Sequence, residues 1–245
     1  MNPTIELLKG HRSIRQFQNR PIQTDLFQDL IKAGQAAASS NFFQAVTIIR
    51  VTDLKKRAKL ASLANNQAYV ETAAEFLVFC ADMNRAASCC DLHGAEANTG
   101  FTEQFIIATV DAALVAQNIV VASESAGLGI CYIGALRNNP SEVSTVLDLP
   151  HDTYPVFGLC VGWPDQDPEV KPRLPIDVVL RENSYGIGED GLNLGNYDEA
   201  VRGYYATRSS NQKSMSWSEQ MSGLLSKESR PHMLDFLQTK GFLQK

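Results

Sequence analysis

Several signatures that would fix a chemistry outright are missing from this chain. It has no G-x-x-x-x-G-K-[ST] loop, and Gly127, Gly129 and Gly134 are wrongly spaced for G-x-G-x-x-G, which disfavours a P-loop enzyme and a Rossmann dehydrogenase. No G-x-S-x-G elbow occurs, and the four histidines stand in unrelated contexts, so a hydrolase triad has no local support. The five cysteines, Cys80, Cys89, Cys90, Cys131 and Cys160, form an odd set without C-x-x-C pairs, against both a disulfide framework and a zinc site. Cys89, Cys90 and His93 lack a second ligand pair and read as a loop bearing free thiols. Excess positive charge is absent too. With a formal net charge of −5, the chain offers no electrostatic footprint for nucleic acid or an anionic membrane. The opening MNPTIELLKGHR holds no apolar run long enough for a signal peptide, so a cytoplasmic location is expected.

What is present is ample apolar material, 44% of 245 residues, enough for a sizeable core in one domain. Leu26, Phe27, Leu30, Ile31 and Gly34 recur at helical spacing behind a Thr24 cap, predicting a helix from about Asp25 to Ala38. AVTIIRV (45–51) and AEFLVFCAD (74–82) read as buried strands, with a helix over 53–64 capped by Asp53 between them. The stretch 102–127 predicts one long helix, capped by Thr102 and stopped by Gly127, apolar almost all round. As a membrane span it would place Asp111, Gln117 and Asn118 in hydrocarbon, so a buried helix is the better reading. Strand GICYIGAL (129–136), a helix with Asn139 as cap and Pro140 at N1, and strand VFGLCVGW (156–163) follow.

This alternation predicts an α+β or α/β fold around a modest sheet. The stretch 164–195 holds four prolines and four glycines and few periodic runs, which predicts an irregular excursion over the surface or onto a partner chain. The rest, 196–245, reads as a helical group interrupted by the polar loop RSSNQKS. The domain reading is therefore one domain over 1–245, with an arm at about 164–195 and a C-terminal helical excursion at about 196–245.

Against that background GHRSIRQF (10–17) stands out, with His11, Arg12, Ser13 and Arg15 close together. Arginine forks bind phosphate through charge-assisted hydrogen bonds, yet a basic turn by itself is more often a solvated surface. KPRLP changes the balance: Lys171 and Arg173 share a side of an extended chain and offer a second phosphate-binding pair. SSNF (39–42) adds hydroxyl and amide groups. In YIGAL (132–136) Gly134 lets a flat ligand approach the backbone.

Taken in order, GHRSIRQF, SSNFFQ, GLGICYIGALRNNP, FGLCVGWP, KPRLP, ENSY, YYATRSSN and KESRP resemble the oxygen-insensitive NADPH nitroreductases and closely related NADPH:flavin oxidoreductases of the nitroreductase superfamily. The match runs from about residue 3 to the end of the sequence. The resemblance implies a nitroreductase-like α+β fold, a central mixed sheet surrounded by helices in an intertwined homodimer, with one FMN per subunit at the interface. It assigns to FMN the motif residues His11, Arg12, Ser13 and Arg15 and the phosphate-side pair Lys171 and Arg173. Ser39, Ser40, Asn41 and Phe42 would reach the flavin of the other subunit, and Gln67 and Tyr69 would stand near the ring. Tyr132, Ile133, Gly134, Ala135 and Leu136 would lie against the ring, with a backbone N–H near Gly134 facing flavin N5.

Glu103 matches a carboxylate at the mouth of the site, although stabilisation of a helix N-terminus explains its position equally. For the 2′-phosphate of NADPH the resemblance points to Arg208, to Lys213 where an arginine is expected, and to Arg230. Lysine keeps the charge but loses the bidentate fork. The implied activity is two-electron, ping-pong reduction of nitroaromatic and nitrofuran compounds and quinones, small aromatic acceptors, with no side chain acting as obligatory nucleophile or acid. The alternatives are an NADPH:FMN oxidoreductase supplying reduced flavin and a non-catalytic flavin-binding redox sensor.

Overall fold

The computed structural model describes residues 2–186, 188, 190–208 and 212–245. Along the chain run α1 (Pro3–Lys9), α2 (Thr24–Gln35), β1 (Val46–Arg50), α3 (Leu54–Leu63), α4 (Tyr69–Thr72), β2 (Glu75–Asp82), α5 (Asn84–Leu92) and α6 (Thr102–Ser125). They are followed by β3 (Gly129–Ile133), α7 (Pro140–Val146), β4 (Thr153–Gly162), α8 (Ile176–Val179), α9 (Asp190–Thr207), α10 (Trp217–Leu225) and α11 (Met233–Thr239). The described residues form two compact units. One comprises the chain up to Asp167 together with Arg230–Lys245; the other is Pro168–Ser229.

The first unit is built on a four-stranded sheet of order β1-β2-β4-β3. All three ladders are antiparallel. The parallel part of the expected mixed sheet is one bridge, Ser13 with Ile130, which lays the basic opening segment along β3. Alternation along the strands creates two cores. Phe76, Val78, Cys80, Cys131, Ile133 and Cys160 point to the side covered by α3, α4 and α7. Leu77, Phe79, Ile130, Leu159 and Val161 point to the side covered by α2 and α6. With both faces covered, every residue of β2 is buried, which is why that strand reads as a continuous apolar run.

Helix α6 spans 24 residues and, by length and composition, is the one described helix suited to crossing a bilayer. Here Ile107, Val115, Ile119 and Val120 are buried in the protein instead. Gly34 of α2 makes the close crossing feasible: a Cβ there would sit 2.6 Å from Ile119 Cγ1. The opposite side of α6 leaves Ile106, Val110 and Leu114 more than 40% exposed, one helical turn apart.

Some local expectations shift. Asp53 caps α3 as its sequence suggests, accepting from Lys55 N–H at 2.7 Å and Lys56 N–H at 3.1 Å. Thr24 and Thr102 instead lie inside the first turns of their helices, with Gln23 and Phe101 at the cap positions. The start of α6 is satisfied from elsewhere, because Thr102 N–H donates to Lys245 O at 3.2 Å and Phe101 N–H donates to Gln104 Oε1 at 3.1 Å. Helix α2 stops at Gln35 rather than Ala38, and β3 ends at Ile133, where a 3-10 turn over Gly134–Asn138 begins.

The cap predicted at Asn139 holds by position. Its side chain, however, donates to Leu63 O at 2.9 Å, tying α7 to the end of α3. In the second unit, α9 begins at Asp190, inside the stretch read as irregular. Gly191 and Gly195 each cost about 1 kcal/mol of helix propensity, and packing of Tyr197, Val201 and Tyr205 outweighs it. Of the predicted RSSNQKS loop, 209–211 lie outside the described residues.

Candidate functional site

The basic opening is anchored by its backbone. Ile14 N–H donates to Ile130 O at 2.8 Å and Gln18 N–H to Trp163 O at 2.9 Å, so residues 13–18 run beside β3 and the end of β4. Ile14 is buried while Arg15 is exposed, as a strand-like segment with one face inward requires. His11 Nδ1 lies 2.6 Å from Glu124 Oε1, and Arg12 pairs with Asp167. Arg15 N–H donates to Gln166 Oε1 at 3.0 Å. His11 and Arg12 are therefore engaged by carboxylates within the first unit, and an incoming phosphate has to compete with them.

Arg15, Tyr69 and the β3 strand meet on the α3/α4 side of the sheet. Burial raises the Tyr69 phenol above its ordinary value and Cys131 adds to this, while hydrogen bonding and charge from Arg15 oppose it. Burial likewise pushes the Cys131 thiol up, again against Arg15. The short helix α4 that carries Tyr69 is fixed by Arg57, 7% exposed, which donates to Val70 O at 3.0 Å and Ala73 O at 2.5 Å. Two residues before Tyr69, the side-chain oxygen Oε1 of Gln67 is buried without a hydrogen-bond partner.

Tyr132 turns to the other face. Its ring packs edge-on against Phe157 at 5.0 Å between centroids, its hydroxyl lies 3.4 Å from Gln117 Oε1, and burial followed by Glu124 pushes its phenol up to about 12. After Ile133 and Gly134, Leu136 is fully buried and Ala135 packs against the same core. A Cβ on Gly134 would approach the Arg137 guanidinium to 3.2 Å, so this short turn is crowded on that side. Arg230 joins the turn, donating through Nε to Asn138 Oδ1 at 2.8 Å; its charge, after burial, lowers the pKa of Arg137.

The serine loop is held elsewhere, by a residue whose part was not legible in the sequence. Asp111 of α6, 1% exposed, accepts from Ser39 Oγ at 2.6 Å, from Ser40 N–H at 3.2 Å and from Ala45 N–H at 2.9 Å. The loop it secures has three non-glycine residues in the left-handed region, Asn41 (φ 45°), Phe42 (φ 60°) and Gln44 (φ 50°). Each such conformation costs on the order of 1–3 kcal/mol and persists where the surroundings over-determine it. The loop carries Phe42 outward, 78% exposed.

Ser39 to Phe42 lead into β1 at one edge of the sheet, whereas Arg15 and Tyr132 flank β3 at the other. One chain therefore does not bring the serine loop to Arg15 and Tyr69. Glu103 is exposed in the first turn of α6.

In the second unit, Lys171, Arg208 and Lys213 converge on Tyr205. Lys171 Nζ donates to Tyr205 Oη at 2.9 Å, and the cationic groups of Lys171, Arg208 and Lys213 stand 5.1, 5.6 and 5.8 Å from the ring centroid. Burial works to raise the Tyr205 phenol, but the Lys171 hydrogen bond and the charges of Lys171, Lys213 and Arg208 together hold it below its ordinary value. Arg208 Nε is buried without a partner. Arg173 is exposed, two residues along from Lys171. Among the described residues no group of three or more His, Cys, Asp or Glu side chains is placed to hold a metal.

The chemistry of these donors suits a flavin mononucleotide. In the first unit the orphaned Gln67 oxygen is an acceptor that a ring imide N–H satisfies, and Arg15 brings positive charge to Tyr69; in the second unit, by itself, the cations that converge on Tyr205 suit a phosphate.

Comparison with known proteins agrees. The nitroreductase family model matches residues 8–163, and the model of the nitroreductase family C-terminal domain matches 171–245. An NADPH-flavin oxidoreductase of Vibrio harveyi is 49% identical over 248 residues, covering 100% of both chains. An oxygen-insensitive NADPH nitroreductase of Salmonella typhimurium is 44% identical over 242 residues, covering 99% of each. The solved structure of NADPH:FMN oxidoreductase from Vibrio harveyi complexed with NAD+ superposes with a TM-score of 0.92 at 45% identity, again over 100% of both chains. Family models spanning nearly the whole length, and relatives this similar from end to end, place the chain in the nitroreductase family.

Proposed function

We propose that this chain is an FMN-dependent oxidoreductase that takes electrons from NADPH and reduces nitroaromatic and nitrofuran compounds and quinones by two electrons at a time. The observation that carries the reading is the meeting of Arg15 and Tyr69 beside Cys131 of β3, with an unpartnered buried oxygen on Gln67 two residues before Tyr69. The printed names of full-length relatives support it. When bound, FMN supplies the hydride chemistry, accepting two electrons from NADPH and passing them to the acceptor in a ping-pong cycle.

The chain's own residues bind and polarise. Arg15 holds positive charge where negative charge develops on reduction, which favours the reduced state without moving a proton. Gln67 accepts a ring N–H, and the main chain through Tyr132, Ile133, Gly134, Ala135 and Leu136 forms the wall beside the ring. In the first unit His11, Arg12 and Ser13 bind the flavin phosphate and Arg230 is a donor for NADPH; in the second, Lys171 and Arg173 are a phosphate-binding pair for FMN and Arg208 and Lys213 bind the 2′-phosphate of NADPH. Glu103 lies at the mouth. Ser39, Ser40, Asn41 and Phe42 serve the flavin of a second copy in a homodimer. The stripe Ile106, Val110 and Leu114, with exposed Phe42 and Phe43, is the apolar surface that such a dimer buries. The two units act as a single nitroreductase domain in a cytoplasmic enzyme.

A second reading, a flavin reductase that supplies free reduced flavin, is favoured by the name of the 49% identical relative. The absorption spectrum of the purified protein tests the main proposal: bound flavin is expected, bleached anaerobically by NADPH faster than by NADH. A colourless protein that takes up no added FMN refutes it. Negligible nitrofurazone turnover beside rapid reduction of free flavin selects the second reading.

A further inference from the structure

A groove of about 480 Å³ lies within the first unit, and none of the residues assigned to FMN or NADPH lines it. The segment from Phe17 to Pro21 borders it, as do Glu71 to Ala74 at the end of α4, and two arginines reach it, Arg20 and Arg57. Arg57 is 7% exposed and forms no ion pair among the described residues. Two nitrogens of its guanidinium are spent on main-chain carbonyls, Nε on Val70 O at 3.0 Å and Nη2 on Ala73 O at 2.5 Å. Nη1 has no hydrogen-bond partner among the described residues and is left to an occupant of the groove. A recessed cation without a counter-ion is costly. Burial accordingly holds the guanidinium below its ordinary pKa, with Cys160, Glu75 and Glu71 opposing.

Arg20 complements it from the other wall. Its guanidinium carbon stands 3.7 Å from the centroid of the Trp163 ring, and its side-chain N–H groups donate to nothing among the described residues. The wall is firm: Arg20 N–H donates to Gln18 O at 2.8 Å, Gln18 N–H to Trp163 O at 2.9 Å, and the Trp163 indole N–H to Pro21 O at 3.2 Å. Glu71 is the one carboxylate lining the groove; it is exposed and pairs with neither arginine.

We propose that this groove binds a phosphate group, free or carried on a small organic monoester, gripped between the recessed Arg57 and the stacked guanidinium of Arg20. A carboxylate lays two oxygens in one plane and fills one fork. Phosphate presents oxygens tetrahedrally, meets donors arriving from two walls, and brings a second charge against the repulsion of Glu71. The site is independent of the flavin reading, since it uses none of the same residues.

The chain has two tryptophans, Trp163 and Trp217, so protein labelled with 15N-tryptophan shows two indole N–H signals. FMN-loaded full-length protein, freed of excess flavin, is titrated separately with inorganic phosphate and with glycerol 3-phosphate, at an ionic strength held constant with sodium chloride. The Trp163 signal, assigned from Trp217→Phe, should move saturably with phosphate and stay still with sodium chloride alone. Arg20→Gln should weaken binding about tenfold or more, the scale of a lost charge-assisted bond, and Arg57→Lys, which keeps the charge without the fork, about tenfold. Glu71→Gln should tighten it about threefold.

A Trp163 signal that stays still, or that drifts equally with sodium chloride, overturns the proposal, and so does wild-type affinity in Arg20→Gln. Unchanged affinity in Arg57→Lys overturns the grip from two walls; if that variant does not fold, unchanged affinity in Glu71→Gln does so instead. Tighter binding of inorganic phosphate marks a site for the free ion, and tighter binding of glycerol 3-phosphate marks a site for a monoester; either supports the proposal.

Discussion

Replacing Asp111 isolates the device that holds the serine loop. Its carboxylate, 1% exposed, serves three donors, Ser39 Oγ at 2.6 Å, Ala45 N–H at 2.9 Å and Ser40 N–H at 3.2 Å. Ser39 and Ala45 share Oδ2, and Ser40 uses Oδ1. An asparagine oriented with its oxygen at the Oδ2 position keeps two of these bonds and sets its NH2 against the Ser40 N–H. The expected cost is one charge-assisted bond, about 1.5–3 kcal/mol. Alanine orphans all three donors, for about 3–5 kcal/mol.

The loop also stores the left-handed conformations of Asn41, Phe42 and Gln44, and their relaxation pulls it the same way. The alanine variant should therefore lose the loop before it loses the fold. Amide hydrogen exchange gives the readout. In Asp111→Ala the Ala45 amide, buried in the native chain, should exchange at least about a hundredfold faster, with Asp111→Asn intermediate and the amides of β2 unchanged. If Ala45 keeps its native protection in Asp111→Ala, the loop is held by something other than this carboxylate.

Further outcomes follow from other groups. Arg57→Met leaves Val70 O and Ala73 O without their donor and should lower stability by about 2–4 kcal/mol, with loss of flavin retention because α4 carries Tyr69; an unchanged urea midpoint contradicts this. Arg208→Ala should raise the NADPH KM about tenfold or more with flavin content intact, and Arg208→Lys should recover part of the loss; NADPH kinetics equal to wild type remove Arg208 from the donor site. The Cys80 thiol, ordinarily near 9.0, is pushed up to about 12, by burial first and then Asp82 against the opposing charge of Lys240. The folded chain thus keeps a proton that the unfolded chain gives up, so this contribution to stability is whole below pH 9.0 and drains away as the pH rises towards about 12. Urea midpoints at about pH 8 and about pH 10.5 should differ less in Cys80→Ala than in wild type, and equal differences refute the assignment.

The sequence revealed most where a residue's role is local. Asp53 caps α3, the apolar run of β2 is a doubly covered strand, and Pro140 opens α7, because propensity and period alone decide these. It was least legible where a residue acts across the fold. Asp111 was evident only as a charge unsuited to a membrane, and nothing about its neighbours in α6 shows that it secures a loop some seventy positions earlier. The carboxylates facing His11 and Arg12 are equally remote, Glu124 lying 113 and Asp167 155 positions away. Thr102 looked like a cap because caps are read from adjacent residues, whereas its partner is Lys245. The basic motif was legible, and pairing of its arginines with carboxylates was the expectation from the motif alone; which carboxylates they are was not legible.

The placement of the serine loop and Arg15 at opposite edges of one sheet has a genetic consequence. If a flavin needs the loop of one copy and the arginine of the other, a chain crippled at Arg15 and a chain crippled at Ser39 rescue each other on mixing. In the mixed dimer one site collects both lesions and its twin receives neither. Two inactive proteins, combined, then yield half-active pairs, an arithmetic that no arrangement with self-contained subunits reproduces.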